Sequence, residues 1–307
     1  MKSFFQLSGS VLLAQCLLAS AFGQPSQPAT KKVLFFSKSS GFEHSVIKRA
    51  EGETNWAEKV LLDLGQKNHI EFTFSKDGSV FTPENIAKFD AFMFYTTGVL
   101  TEKGTDGNPP MTKEGKEAFL QAIKDGKGFI GTHSATDTFH SPNSKAGGPG
   151  RYKNDGENTD PYIRMIGGEF VLHGSQQKAR MIVTDAKFPG VSSVPDGFGP
   201  LEEWYSLKNF APNLHVLLAQ DTSDMNKSNG GNHAYDRAPY PATWAHMYGK
   251  GKVFYTSMGH REDIWTNPVF QQVLAGGINW AVGNVKADVT PNIDTVTPQA
   301  SLLPSPQ

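Results

Sequence analysis

The chain has 307 residues, a formal net charge of −1, 38% hydrophobic residues and 19% charged ones. That balance lacks the basic surplus with which nucleic-acid binders hold phosphates, so no nucleic-acid partner is expected. The length suits one large domain or two small ones, and 21 Phe with 31 Gly suit a sizeable core broken by many turns.

In chain order, the first element reads as a targeting segment. Met1-Lys2 is a positive start, and an apolar run follows through Val11-Leu12-Leu13-Ala14 and Leu17-Leu18-Ala19. Ala21-Phe22-Gly23 then sets small residues two apart, as a signal peptidase requires. Residues 1–23 are therefore expected to be a signal peptide cleaved after Gly23, giving a periplasmic or secreted protein. The apolar run is short and interrupted by Gln15, too little for a membrane span, so no membrane association is expected after cleavage. Cys16 is the only cysteine. A mature chain without it has no disulfide, no thiol nucleophile and no Cys-bound zinc.

Residues 24–31 read as a polar, Pro-containing linker. A short buried-type strand follows at 32–37, then a loop with Gly41 and His44. The spacing of Trp56, Val60 and Leu64 predicts a helix over about 45–65. Residues 70–74 alternate apolar and polar, as a strand does. Thr82-Pro83 resembles a helix cap followed by a first-turn proline. Residues 91–95 are a strongly apolar strand and 101–111 a loop. A helix at about 112–125 places Phe119, Leu120 and Ile123 on one face, and Gly126 stops it. The strand 127–132 leads into Gly131-Thr132-His133-Ser134-Ala135-Thr136-Asp137-Thr138-Phe139-His140. Residues 141–160 form a long Gly/Pro/Asn-rich insertion, of a length that is usually functional or disordered. Strands are expected again at 179–184, 215–219, 242–247 and 252–256. Asn267-Pro268 caps a last helix to about Val282, with Phe270, Val273, Leu274, Gly277 and Ile278 as its apolar face. Residues 284–307 are Pro/Thr/Ser-rich and read as a flexible tail. Alternating helices and apolar strands predict an α/β fold, a mostly parallel sheet with helices on both faces.

In such a sheet ligands bind beyond the carboxyl ends of the strands. Phe42 and His44 follow the first strand, His133 and Ser134 the fourth, and His260 the strand at 253–257. Histidine changes charge near pH 7 and also binds metals, so three at one sheet edge point to chemistry. His69 and His215, before or at strand starts, read as structural. A serine nucleophile needs glycines around a strained turn, G-x-S-x-G, and Ala135-Thr136 follow Ser134 instead, so serine hydrolysis is not expected. Asp137 and His140 would share a helical face with His133, either as an acid–base cluster or with Asp137 as a helix-end residue. Trp204, Tyr205, Trp244 and Trp265 stand beside polar candidates and read either as the floor of a sugar site or as core. Glu202 and Glu203 are adjacent, so in an extended segment they point opposite ways and at most one faces the site.

Six segments occur in an order that resembles the trehalose-utilisation (ThuA-like) family. They are Ser39-Ser40-Gly41-Phe42-Glu43-His44, the stretch from Gly131 to His140, Gly167-Gly168-Glu169-Phe170 with His173, and Glu202-Glu203-Trp204-Tyr205. Pro241-Ala242-Thr243-Trp244 and the run Tyr248 to His260 complete them. The resemblance covers about residues 32–283. It implies a flavodoxin-like α/β domain of the class I glutamine amidotransferase-like type. In those enzymes a cysteine occupies the turn where this chain has His133, so glutamine hydrolysis by that route is excluded. It also implies carbohydrate catabolism, with a small-molecule disaccharide of the trehalose type, or its 3-keto derivative, as partner.

A 3-keto-glycoside has acidic hydrogens beside its carbonyl, so its chemistry needs a base of near-neutral pKa and a partner for the enolate. His133, His260, His44 and Glu203 are the expected catalytic residues. Phe42, Ser134, Asp137, His140, His173, Trp204, Tyr205, Trp244 and Trp265 are the expected substrate contacts. No cofactor is required by these residues. A divalent metal held by His44, His133, His173, His260 and a Glu is the open alternative, as is a non-catalytic carbohydrate-binding protein.

Overall fold

The apolar runs of the sequence are strands, and the polar-faced segments between them are helices. The computed structural model describes residues 1, 29–50, 52–144, 149–227 and 233–304; apart from Met1, the expected signal peptide and its cleavage point lie outside them. The first half alternates strictly: β1 (Lys31–Phe36), α1 (Trp56–Asn68), β2 (Ile70–Ser75), α2 (Pro83–Ala87), β3 (Ala91–Phe94), α3 (Lys113–Asp125) and β4 (Gly128–Thr132). Next come α4 (Pro161–Ile166) and the short strands β5 (Glu169–His173), β6 (Gln177–Lys178), β7 (Met181–Val183), β8 (Leu201–Glu202) and β9 (Tyr205–Lys208). The chain closes with β10 (His215–Gln220), β11 (Tyr240–Tyr248), β12 (Gly251–Thr256), α5 (Glu262–Trp265), α6 (Pro268–Ala281) and α7 (Ile293–Val296).

Eight strands form one sheet in the order β2-β1-β3-β4-β12-β11-β10-β7. The first five pair in parallel and the last three antiparallel, so the sheet is mostly parallel, as expected. Period-two alternation splits the core into two layers. Val33, Phe35, Met93 and Ile130 pack with Leu61 of α1 and Val273 of α6, whereas Leu34, Phe36, Phe92 and Phe129 pack with Phe119 of α3 and Ile163 of α4. Two small antiparallel ribbons, β5 with β9 and β6 with β8, complete the fold. Among the described residues, no helix is long and apolar enough to cross a membrane.

Two expectations need correction. The helix expected at 45–65 is a single 3₁₀ turn, Ser45–Ile47, followed by α1 from Trp56. Asn55 sets the start: its side chain accepts from the Glu58 N–H at 2.9 Å, and the Glu58 carboxylate accepts from the Asn55 N–H at 3.1 Å. Trp56 accordingly lies outside the apolar face, 40% exposed, while Val60 and Leu64 are buried. The C-terminal segment is not a loose tail. Asn292 accepts from the Val216 N–H at 2.7 Å, Thr290 O accepts from His215 Nδ1 at 2.6 Å, and Ile293 and Ala300 are buried. Within the insertion, residues 149–160 are held by Lys208, fully buried, whose Nζ is 2.8 Å from Asp155 Oδ2.

Candidate active site

The carboxyl ends of β1, β4 and β12 each hand the chain directly to a histidine-bearing turn. His44, His133 and His260 meet there with Glu203, which follows β8; one potential ligand atom from each lies within 4.8 Å of the others. The three histidines are brought together by parallel pairing of distant strands, and Glu203 arrives from the separate antiparallel ribbon of β6 and β8.

His133 is the first residue beyond β4 and has φ 42°, a left-handed conformation that costs a non-glycine residue roughly 1–2 kcal/mol. Its ring is fully buried. Nδ1 lies 3.0 Å from the Ser257 carbonyl, which can only accept, so Nδ1 carries the hydrogen. A neutral ring then has its lone pair on Nε2, which makes no hydrogen bond and lies 3.7 Å from Glu203 Oε2. Tyr255 Oη donates to the His133 carbonyl at 2.7 Å, and Tyr205 packs on the ring at 4.3 Å between centroids.

His260 is held through its backbone. Glu202 Oε2 accepts from the Gly259 N–H at 2.9 Å and the His260 N–H at 3.2 Å. The Gly259 carbonyl accepts from Trp265 Nε1 at 2.8 Å and Tyr95 Oη at 3.1 Å. The His260 ring places Nε2 at 3.6 Å from Glu203 Oε2, and Gln176 Nε2 lies 3.2 Å from its Nδ1. Gln176 Oε1 in turn accepts from Arg261 Nη1 at 2.7 Å. His44 packs edge-on against His133 at 5.0 Å and His260 at 5.3 Å, and its Nδ1 has no hydrogen-bond partner. His173, at the end of β5, is half exposed; its Nδ1 lies 2.9 Å from the Gly174 carbonyl and 3.4 Å from Glu203 Oε1.

The electrostatics follow from crowding. Burial, then the neighbouring His133 and His260, hold His44 well below the usual histidine range. His260 is pushed down to about 4, by burial first and then by His133. Burial opposes ionisation of Glu203, but the charge of His133, with help from His260 and His173, holds its pKa below the ordinary value. Glu202 is pushed up to about 7 by burial, against the pull of His133 and three backbone N–H groups. At pH 7 His44 and His260 are therefore neutral and Glu203 is a carboxylate.

A second cluster adjoins the first. His140 Nε2 lies 2.8 Å from Asp137 Oδ1 and its Nδ1 lies 3.2 Å from Glu169 Oε1. Glu169 also accepts from Ser141 Oγ at 2.6 Å and from Asn209 Nδ2 at 2.7 Å. Burial disfavours charge on both His140 and Glu169, yet each partner outweighs it: His140 rises to about 9 and Glu169 falls to about 2. A cavity of about 390 Å³ lies here, lined by Asp137, His140, Ser141, Arg151 and Phe170. Phe170 packs on Tyr205 at 4.2 Å, and Tyr205 on His133, which links this cavity to the histidine cluster. A larger hollow of about 570 Å³ beside Phe210 and Ile293 holds none of these histidines.

The predicted site residues divide accordingly. His44, His133, His260 and Glu203 come together, with His173 at the rim and Tyr205 against His133. Asp137 and His140 bond each other, but not on a helical turn shared with His133. The turn covers only His133–Thr136, and His140 engages Glu169 instead. Phe42 is exposed beside His44. Ser134 Oγ is buried and makes no hydrogen bond, so no base activates it. The aromatic floor does not form. Trp204, Trp244 and Trp265 are fully buried, and their N–H groups bind the backbone carbonyls of Gln177, Ile166 and Gly259. A tryptophan with both faces packed has none left for a sugar. Of the two glutamates, Glu203 faces the site and Glu202 clamps the His260 turn from within. Gln176 and Tyr95 have supporting roles that no motif in the sequence marks.

The comparisons agree with this architecture. A family model described as ThuA, trehalose utilisation, matches residues 32–281. A putative ThuA-like protein from Bacteroides uniformis superposes with a TM-score of 0.60 at 19% identity, covering 86% of this chain and 97% of that one. A second, from Parabacteroides merdae, gives a TM-score of 0.52 at 19% identity, covering 84% and 92%. At that identity these structures speak to the fold. No curated protein matches the chain.

Proposed function

The chain belongs to the ThuA trehalose-utilisation family, and from that premise we propose that it is an exported carbohydrate-processing enzyme acting on a disaccharide or 3-keto-glycoside of the trehalose type. One observation carries the enzymatic part: His44, His133, His260 and Glu203 converge at the carboxyl edge of the sheet. A protein that only bound sugar would use exposed aromatic faces, and the three candidate tryptophans are spent in the core.

Two tasks fall to the site, removal of a proton beside the carbonyl and stabilisation of the enolate oxygen. Sequence reasoning favoured His133 or His260 as the base and a metal or a charged histidine for the enolate. The wholly buried His133 ring faces the other donors, which suits holding rather than moving a proton. We assign the proton transfer to His173. Its half-exposed side chain stands at the rim of the cluster, where it can meet a substrate. The adjoining cavity, with Asp137, Arg151 and Phe170, supplies hydroxyl-binding groups and an apolar face for the second sugar unit.

The test is deuterium uptake by 3-keto-trehalose in D₂O, followed by NMR at the carbons flanking the ketone. The protein is expected to accelerate exchange or product formation, and His173→Ala to slow either by about 100-fold or more. Tight binding of unmodified trehalose with no exchange in any keto-sugar would overturn the enzymatic reading and leave a binding protein.

A further inference from the structure

We propose that His44, His133, His260 and Glu203 are a divalent transition-metal site, an inference that rests on the same cluster being the reactive centre. The spacing is the first argument. Glu203 Oε2 lies 3.7 Å from His133 Nε2 and 3.6 Å from His260 Nε2. Around an ion with bonds of about 2.1 Å, tetrahedral donors sit roughly 3.4 Å apart, so closing on a metal takes movements of a few tenths of an ångström at these atoms.

The second argument is unsatisfied polarity. His133 Nε2 and His44 Nδ1 are buried and make no hydrogen bond. A buried lone pair without a partner is costly, and two in one cluster are unusual for a purely structural arrangement. Steric access separates the alternatives: a fully buried Nε2 cannot reach a sugar carbon, but it can reach an ion lodged among the four side chains.

The third argument is the surrounding support. Metal-bound histidines characteristically donate their other ring N–H to a carbonyl or carboxylate. His133 already does so to Ser257, and the clamp of Glu202, Tyr95 and Trp265 fixes the backbone that carries His260. His260 differs in one detail. Gln176 offers its NH₂ to Nδ1, which leaves the hydrogen on Nε2. Loading a metal at Nε2 therefore requires the Gln176 amide to turn over, so that Oε1 accepts from Nδ1–H. Arg261 keeps Asp263 as partner, at 2.9 Å from Nε.

The donor set defines the ion. Three imidazoles and one carboxylate suit Zn²⁺, Fe²⁺, Co²⁺ or Ni²⁺ rather than Ca²⁺ or Mg²⁺, which prefer all-oxygen shells. One carboxylate leaves the loaded site with a net positive charge, and an ion open to substrate would polarise a sugar carbonyl.

The experiment uses chelator-treated full-length protein, titrated with Co²⁺ by visible absorption and with Zn²⁺ by calorimetry and competition. One ion per chain is expected, with a d–d spectrum of nitrogen and oxygen ligation and a higher melting temperature on loading. Glu203→Gln and His260→Ala, which leave the buried His44 and His133 in place, are expected to weaken binding by about 100-fold or more. Absence of saturable one-to-one binding, or affinity unchanged in both variants, overturns the site. Stoichiometric binding without turnover of a keto-sugar supports the metal and counts against the substrate. Full turnover by metal-free protein supports the substrate and overturns the metal.

Discussion

His133 shows how one residue can be placed by its surroundings against its own preference. Its left-handed backbone is unfavourable for a side chain with a Cβ, and it persists because Tyr255 binds its carbonyl and Ser257 binds its ring. The neighbouring His140 offers a test by pH. Its pKa is raised to about 9 by Asp137 and Glu169, so its stabilisation is complete below about 6.5, the unfolded value, and is lost as pH rises through 9. Glu169 has the opposite sense: its pKa of about 2 stabilises above about 4.5 and is lost as pH falls below that. His140→Ala is expected to destabilise by on the order of 2 kcal/mol at pH 6 and by much less at pH 9.5. Thermal unfolding of both proteins at the two pH values measures this; an equal loss at both would sever the stabilisation from the ion pairs.

At the scale of elements, the ends matter more than the middles. Asn55 delays α1 by about ten residues relative to the hydrophobic spacing, and the freed segment follows the His44 loop as a single 3₁₀ turn and an extended link. Asn55→Ala removes the cap and the bond from Asn55 Nδ2 to the Ile47 carbonyl. It is expected to cost about 1–2 kcal/mol in urea denaturation. Gly277 makes a different point within α6. A Cβ there would lie 2.5 Å from the Phe254 ring, so the helix sits on β12 only because that position has no side chain. Gly277→Ala is expected to lower stability by about 1–3 kcal/mol through overpacking, whereas Gly283→Ala, with open space around it, is strained only by its φ of 83°.

For the molecule as a whole, the C-terminal segment is a structural strap across β10. It accepts from His215, Val216 and Arg237, and Ile293 joins the core under Leu214. Truncation after Lys286 would expose that surface and leave the buried Arg237 short of one acceptor. The truncated protein is expected to melt several degrees lower, at about 2–4 °C for each kcal/mol lost in a chain of this size. Unchanged melting would show that the strap adds nothing. The large antiparallel half of the sheet, β10 to β12 with β7, has the same integrating role: it returns the chain to β4, and so brings His260 beside His133.

The local sequence determined what periodicity and local chemistry can determine. Unbroken apolar runs made interior strands, Thr82 and Asn267 capped α2 and α6, and the order of motifs identified the family and the histidine-bearing strand ends. The tryptophans, the glutamate pair and the tail were not legible in that way. A Trp beside polar residues reads alike whether its faces are packed or open, and burial is decided by elements far away in the chain. Glu202 and Glu203 alternate by geometry, but which one looks outward depends on the Gly259–His260 turn seated beneath them. The polar composition of 284–304 gave no sign that its asparagine and carbonyls would meet β10. Convergence is the clearest case: His44, His133, Glu203 and His260 span more than two hundred residues, and only the parallel pairing of distant strands, with the β6–β8 ribbon folded against them, puts their donor atoms within 4.8 Å of one another.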